Sequence, residues 1–202
     1  MLYYYPNKPI LITIDSKLIA EKSADPNSVA EIKKNGTRLC LWQSKEEALK
    51  HHNYNNFIFW NSHKSVLKYQ PCAELLDELR SLNLPNNTHL DAELLHFKTT
   101  DIKHQIYFYD LYWYNGQQCF QEFRARRDIL GNILAKQNFK HLELATQYKG
   151  EYKKLFDKVI VKKENEGLVI KDELGKIVWN LKTLVEVNWQ LKVRKPSSNY
   201  SV

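Results

Sequence analysis

Apolar and polar residues alternate along this chain in short runs, and the period of each run predicts its element. Strands are predicted at residues 10–14, 28–32, 38–42 and 56–60, where apolar and β-branched residues gather between turn-forming ones. Residues 33–37 (Lys-Lys-Asn-Gly-Thr) separate two of these runs, and Asn-Gly tolerates positive φ, so a tight turn is predicted there. Ser44 followed by Glu47 reads as a capping box opening a helix over residues 44–50. Leu75, Leu79 and Leu82 at helical spacing predict an amphipathic helix over 71–82. Two β-rich runs follow at 89–97 and 105–114, the second closing on Asn115-Gly116. Helical periodicity returns over 119–136 through Phe120, Phe123, Arg127, Leu130 and Leu134, and a second helix is predicted over 142–161. Strands at 168–171, 176–179 and 189–194 end the pattern, the first two joined by a hairpin at 172–175. Strands and helices do not alternate as βαβ units. The pattern therefore predicts an α+β fold of mainly antiparallel sheets flanked by helices, one domain over residues 1–202.

Composition narrows the class. With 43% hydrophobic and 26% charged residues the chain can bury a core, which excludes disorder, and 6 Gly and 6 Pro exclude collagen-like and low-complexity classes. No apolar run approaches the roughly 18 residues a membrane helix needs. Residues 1–8 lack the basic-then-apolar pattern of a secretory leader. A soluble, cytoplasmic chain with no membrane partner is expected. Cys40, Cys72 and Cys119 form no CxxC pair, which points to small core side chains rather than disulfides or zinc. The pair His51-His52 falls in a polar loop and is expected to be exposed.

Lys+Arg 30 against Asp+Glu 23 gives a net charge of +7, which suits a polyanionic partner. Two stretches could track phosphates: Arg124, Arg126 and Arg127, and the aromatic-bearing run 149–154 with the lysines of 158–163. A solvated helix face explains either equally well.

Sequence signatures of other nucleotide and hydrolase chemistries, GxxxxGK[ST], GxGxxG, GxSxG and HExxH, do not occur. What stands out is Lys33, two residues before Asn35 and three before Gly36. A lysine attacks phosphorus only as the neutral amine, against an ordinary pKa of about 10.4, so its site must oppose the proton by burial or neighbouring cations. By itself the segment reads as a β-hairpin with a solvated Lys-Lys pair before it reads as a nucleophile's site.

The segment resembles the lysine motif KxDGxR of the covalent nucleotidyltransferase superfamily: ATP-dependent DNA ligases, RNA ligases and mRNA-capping guanylyltransferases. Four further blocks follow in that family's order. Residues 90–94 (Leu-Asp-Ala-Glu-Leu) are similar to LDGEL, 109–116 to FDxxYLNG, 166–171 (Glu-Gly-Leu-Val-Ile-Lys) to EGLVxK, and 189–194 to WLKxK. Residues 126–130 are similar to the RRxxL of ligases. The resemblance implies an ATP-grasp-like nucleotidyltransferase fold and a role for each matched residue. Lys33 would attack the α-phosphorus of ATP and hold AMP. Glu31 would accept from the adenine amino group, Arg38 would contact ribose or nucleic-acid phosphate, and Tyr109 would stack on the purine. Glu93 would bind ribose or metal, and Glu166 would hold Mg²⁺. Lys171, Lys192 and Arg194 would surround the α-phosphate. Without the resemblance, Glu31 and Lys192 read as solvated strand residues, Glu93 as a surface carboxylate and Tyr109 as core.

The chain departs from the family pattern in having Asn35 for the Asp of KxDG and Arg194 for the second Lys of KxK. Ligases and capping enzymes usually continue into an OB-fold domain, whereas eight residues follow Arg194 here. That part is expected from a separate chain, or the protein works as a minimal enzyme, or adenylylation is impaired. The expectation is the adenylation domain of an ATP-dependent polynucleotide ligase acting on nicked nucleic acid, DNA before RNA. An RNA ligase, a capping-type guanylyltransferase and a retired nucleic-acid-binding subunit are the alternatives.

Overall fold

A computed structural model describes residues 5–51, 54, 56–135 and 137–196. The sequence expectations at His52, Lys136 and residues 197–202 lie outside them. Two sheets carry the architecture. The first has five strands in the order β1 (Asn7–Leu11), β11 (Val185–Arg194), β10 (Asn165–Asp172), β2 (Ser28–Lys34), β9 (Gln147–Tyr148). The second runs β4 (Phe57–Trp60), β3 (Thr37–Gln43), β5 (Thr88–Leu95), β6 (Gln105–Tyr114), β7 (Gln117–Gln118), with β8 (Leu142–Leu144) on β6. Pairing is antiparallel except for β1 with β11 and β6 with β8.

Each sheet buries one face under helices. Leu168, Ile170, Leu191 and Val193 pack with Ile19 of α1 (Lys17–Ala24) and with Tyr152 and Phe156 of α5 (Tyr152–Val159). On the other sheet Leu39, Leu41, Leu90, Ile106 and Phe108 pack with Leu75 and Leu79 of α3 (Ala73–Ser81) and Leu130 of α4 (Phe123–Leu134). Alternation along each strand then turns Glu31 and Lys33 of β2, Val169 and Lys171 of β10, and Lys192 and Arg194 of β11 away from these helices, as it does Arg38 of β3 and Glu93 of β5. Those second faces meet across a cleft.

Several elements differ from the periodicity. The turn at Asn35-Gly36 does not close a hairpin: β2 and β3 belong to different sheets, so the chain crosses between them here. Gly36 is required by space rather than by positive φ. A Cβ there would stand 2.6 Å from Glu93 Cγ and 2.7 Å from the Leu94 carbonyl. Ser44 does cap α2 (Lys45–His51), its Oγ accepting from Glu47 N at 3.3 Å, but the return bond is missing because Ser44 N donates to Asn56 O.

The predicted helix at 142–161 is instead two short strands and then α5. Gly150 at φ 67° and Glu151 at φ 48° break any helix through this stretch, and Leu142 and Leu144 serve a two-residue strand period against β6. The strand predicted at 176–179 does not form either. Its backbone is met by a side chain, since Val178 N donates to Asn7 Oδ1 at 3.0 Å and Val178 O accepts from Asn7 Nδ2 at 2.7 Å. The turn at 172–175 is present, with Gly175 N donating to Asp172 O, but it docks on a helix rather than joining two strands. Phe123 N donates to Gly175 O and Arg124 N to Glu173 O. These bonds satisfy the first donors of α4, whose N-cap Glu122 supplies no side-chain cap. The helix predicted from 119 therefore starts at Phe123. Cys40 and Cys119 are buried and Cys72 half-buried. No helix of the described residues is long and apolar enough to cross a membrane.

Candidate active site

A cleft of about 460 Å³ lies between the two sheets. All nine residues singled out from the sequence line it: Glu31, Lys33, Arg38, Glu93, Tyr109, Glu166, Lys171, Lys192 and Arg194. Strand register explains how. Across β2, β10 and β11, Lys33 stands opposite Gly167 and Gly167 opposite Arg194. One step along, Glu31 pairs with Val169 and Val169 with Lys192. A further step brings Lys171 opposite Gln190. Residues two apart share a face, so one sheet surface carries Lys33 with Arg194, then Glu31 with Lys192, then Lys171 with Gln190.

Glu166 falls out of that alternation and still reaches Lys33. A register break between Asn165 and Gly167 places it there, and Gly167 makes the break possible. At φ 152° it holds a conformation favourable only to glycine, and a Cβ would stand 2.0 Å from Val193 O. Lys33 Nζ donates to Glu166 Oε2, and Arg194 Nε lies 3.4 Å from the same oxygen.

The opposite wall is built the same way. Arg38 pairs with Glu93 across β3 and β5, and Glu93 with Tyr107 across β5 and β6. The register skips at Asp91 and Ala92, leaving Tyr109 as an extra residue. The bulge lets Tyr107 and Tyr109 face the cleft while Ile106, Phe108 and Leu111 all reach the core. Arg38 is fixed by three bonds: Nε to Asp91 Oδ1 at 3.0 Å, a second contact from Nη2 to Asp91, and Nη1 to Asn7 O at 2.8 Å. Burial opposes its charge, but the Asp91 carboxylate outweighs that and holds the guanidinium ionised. The guanidinium lies 5.8 Å from the centre of the Tyr109 ring.

The cleft has two electrostatic ends. At the Lys33 end, burial pushes the Glu93 carboxyl up to about 7 against the pull of Lys33 and Arg38. Burial also brings Lys192 down to about 8, with Arg194, Lys8 and Lys33 adding repulsion. At the other end Glu31 and Lys171 form a buried pair, 2.6 Å from Oε2 to Nζ. Lys171 Nζ also donates to Tyr109 O at 3.2 Å and stands 4.4 Å from the Phe123 ring centre. Lys171 thus does not join Lys192 and Arg194 beside Lys33. It belongs with Glu31. Gln147 completes that end, its Nε2 donating to Glu31 Oε1 at 3.2 Å.

Glu166 bonds Lys33, and Glu93 lies within electrostatic reach of both. That set suits Mg²⁺, which takes one or two carboxylates and lets substrate phosphates fill its shell. Among the described residues no three His, Cys, Asp or Glu side chains gather as a closed cage.

Two sequence expectations about basic surface are corrected. Arg126 is fully buried against Asp110, and Arg127 is buried too, so of that run only Arg124 is at the surface. Tyr152, the aromatic of the 149–154 run, is buried and donates to Ser28 Oγ at 3.1 Å, so no ring is available there for stacking. Lys8, His63, Lys98 and Tyr107 also line the cleft and were missed. Lys8 comes from β1, whose parallel pairing with β11 carries no local sequence signal.

A family model described as ATP dependent DNA ligase domain matches residues 80–186, more than half of the chain. Solved structures share the fold at low identity. A mycobacterial DNA ligase D complexed with ATP and MES is 15% identical with a TM-score of 0.58, over 83% of this chain and 54% of that one. The ligase domain of M. tuberculosis LigD is 14% identical with a TM-score of 0.57, over 94% and 59%. The ATP-dependent DNA ligase from bacteriophage T7 in complex with ATP is 15% identical with a TM-score of 0.55, over 94% and 68%. The chain thus spans little more than half the length of the two mycobacterial structures. No curated protein sequence matches it.

Proposed function

The chain belongs to the ATP dependent DNA ligase domain family, and on that premise we propose that its two sheets form one adenylation domain that charges Lys33 with AMP for nick sealing in DNA. The observation that carries the reading is the joint placement of a lysine, three further cations and two carboxylates along one cleft wall and its mouth. Lys33 Nζ, once neutral, attacks the α-phosphorus of ATP. The P–N bond forms, the bond to the β-phosphate oxygen breaks, and pyrophosphate leaves with that electron pair.

Lys192 and Arg194 stabilise the charge that grows on the phosphates. Mg²⁺, held by Glu166 and Glu93, would supply positive charge at the phosphates. Glu166 is also ion-paired with Lys33, which ties the nucleophile to the proposed cation site.

The other end of the cleft reads the base. Glu31 offers an acceptor and Lys171 a donor 2.6 Å apart. Adenine presents the complement, an amino donor beside the N1 acceptor. Guanine presents a carbonyl acceptor beside an N1–H donor, so both of its groups would face a like partner. Such mismatches of buried polar groups discriminate strongly. Tyr109 supplies a ring for stacking and Arg38 a fixed guanidinium for ribose or phosphate. The 5′-phosphate of the nick then takes AMP from Lys33 as the P–N bond breaks, and the 3′-OH displaces AMP to join the strands.

The test is a nicked duplex bearing a 5′-phosphate, incubated with the protein, ATP and Mg²⁺ and resolved on a denaturing gel. Sealed strand and 5′-adenylated intermediate are expected, both absent when the nick carries a 5′-hydroxyl. Sealing of nicked RNA only would move the reading to RNA. Sealing of neither, with the protein folded, would overturn it.

A further inference from the structure

Glu31 is held from behind by two residues that do not line the cleft. Gln147 lies directly opposite Glu31 in the β2–β9 pairing and donates its side-chain amide to Oε1. Arg127 comes from α4, and its guanidinium is tied through Nη2 to Ala145 O. Its Nη1 has no hydrogen-bond partner among the described residues and stands 4.0 Å from Glu31 Oε1. A buried guanidinium donor without an acceptor is costly, and Glu31 is the carboxylate it faces. Arg127 and Gln147 line a second pocket, distinct from the cleft, with Asp128, Asn132 and Thr146.

We propose that Arg127 and Gln147 are positioning residues that set nucleobase selectivity by fixing the Glu31 carboxylate with its free lone pairs aimed into the cleft. The inference rests on the base-reading role given to Glu31 above. A carboxylate offers about four lone-pair sites. Lys171 takes one on Oε2 and Gln147 one on Oε1. Rotation that would turn Oε1 away from a bound base breaks the Gln147 bond and moves the carboxylate off the Arg127 charge. This assigns Arg127 of the basic run to adenine selection, through a residue two strand positions from the nucleophile. A guanine carbonyl would have to displace an acceptor locked in place, whereas an untethered Glu31 could swing aside and admit it.

Label transfer from α-labelled ATP and from α-labelled GTP is measured for the full chain and for Gln147→Ala, Arg127→Met and Arg127→Lys. In the Ala and Met variants KM for ATP is expected to rise about tenfold, the loss of roughly one hydrogen bond's orientation. The rate at saturating ATP should stay within about twofold, and the ATP-over-GTP ratio of kcat/KM should fall about tenfold. Arg127→Lys, which keeps the charge, should recover part of the ratio. Far-UV circular dichroism establishes that each variant is folded, and Gln147→Asn replaces Gln147→Ala if that one is not. Variants that label less while keeping the parent's KM and nucleotide ratio would overturn the inference and leave these residues merely structural. A parent chain that labels with neither nucleotide would overturn the base-reading role itself, an outcome distinct from an unchanged ratio.

Discussion

Arg126 sits in a basic run that reads as a phosphate-tracking surface, yet it is buried without remainder. Its Nε and Nη2 donate to the two oxygens of Asp110 at 2.8 and 2.9 Å, and Nη1 donates to Gln121 O at 2.7 Å and Gly175 O at 3.1 Å. The guanidinium lies 5.4 Å from the Trp189 ring centre and 5.6 Å from that of Phe123. One side chain thus ties α4 to β6 next to Tyr109, to the 172–175 turn and to β11. Arg126→Met removes four donated bonds and leaves the Asp110 carboxylate buried with, among the described residues, only Leu111 N, at 2.8 Å, donating to it.

Breaking a buried pair in this way costs about 3–5 kcal/mol. Against a total of about 5–15 kcal/mol for a folded domain, that is a large share. At about 2–4 °C per kcal/mol for a chain of this size, Tm should fall by about 6–20 °C in a thermal melt followed by circular dichroism. Arg126→Met with Asp110→Leu should recover most of the loss, since a buried pair and an apolar pair of similar volume are often close in stability. Burial alone would raise the Asp110 carboxyl, but Arg126 and Leu111 N–H outweigh it and hold the pKa below the ordinary value. The pair's contribution is therefore full at neutral pH and is lost as pH falls through that lowered pKa, so the parent and the Met variant should converge in stability under strong acid. A loss under about 1 kcal/mol, the worth of an exposed pair, would refute the reasoning, as would weaker nucleic-acid binding at unchanged stability.

Other consequences are open to simpler measurements. Tyr109→Ala should raise KM for ATP by about 5- to 150-fold, the range of a base–aromatic stack of about 1–3 kcal/mol, while Tyr109→Phe should leave it near the parent value. Because Lys192 titrates near 8 in the free protein, kcat/KM for ATP should fall as pH rises through that value, and Lys192→Arg should remove this alkaline limb from the profile. Gly167→Ala puts a methyl group 2.0 Å from Val193 O, so β10 and β11 should part locally. Loss of soluble protein or of adenylation, with a lowered urea midpoint, is the expected outcome, and a fully active and stable variant would contradict the role of the register break.

What the sequence made legible divides along a physical line. Elements whose signal is local were readable: Leu75 and Leu79 on one stripe of α3, and Asn115-Gly116 at φ 51° and 76° closing β6 on β7. The nine residues that line the cleft were singled out through the family resemblance, since five blocks in order need no knowledge of pairing. Long-range bonds were not. The segment 176–179 has strand-like residues, but Asn7, more than 160 positions away, satisfies its backbone instead. Residues 142–148 follow a helical spacing until their edge pairing with β6 and β2 wins. The bulge at Tyr109 and the break before Gly167 both invert the alternation, and each does so where a site residue must turn into the cleft. Lys171 was matched correctly to its block, but only the Glu31 contact shows which end of the cleft it serves.

The central claim is that Lys33 is the residue that carries AMP. The direct measurement is incubation of the full chain with α-labelled ATP and Mg²⁺, a denaturing gel, and peptide mass mapping of the labelled band, beside Lys33→Ala. An acid-labile adenylate on the peptide containing Lys33, absent from the Ala variant, is the result this account expects. A label that persists in Lys33→Ala, or that maps to Lys192 or another lysine, would contradict it.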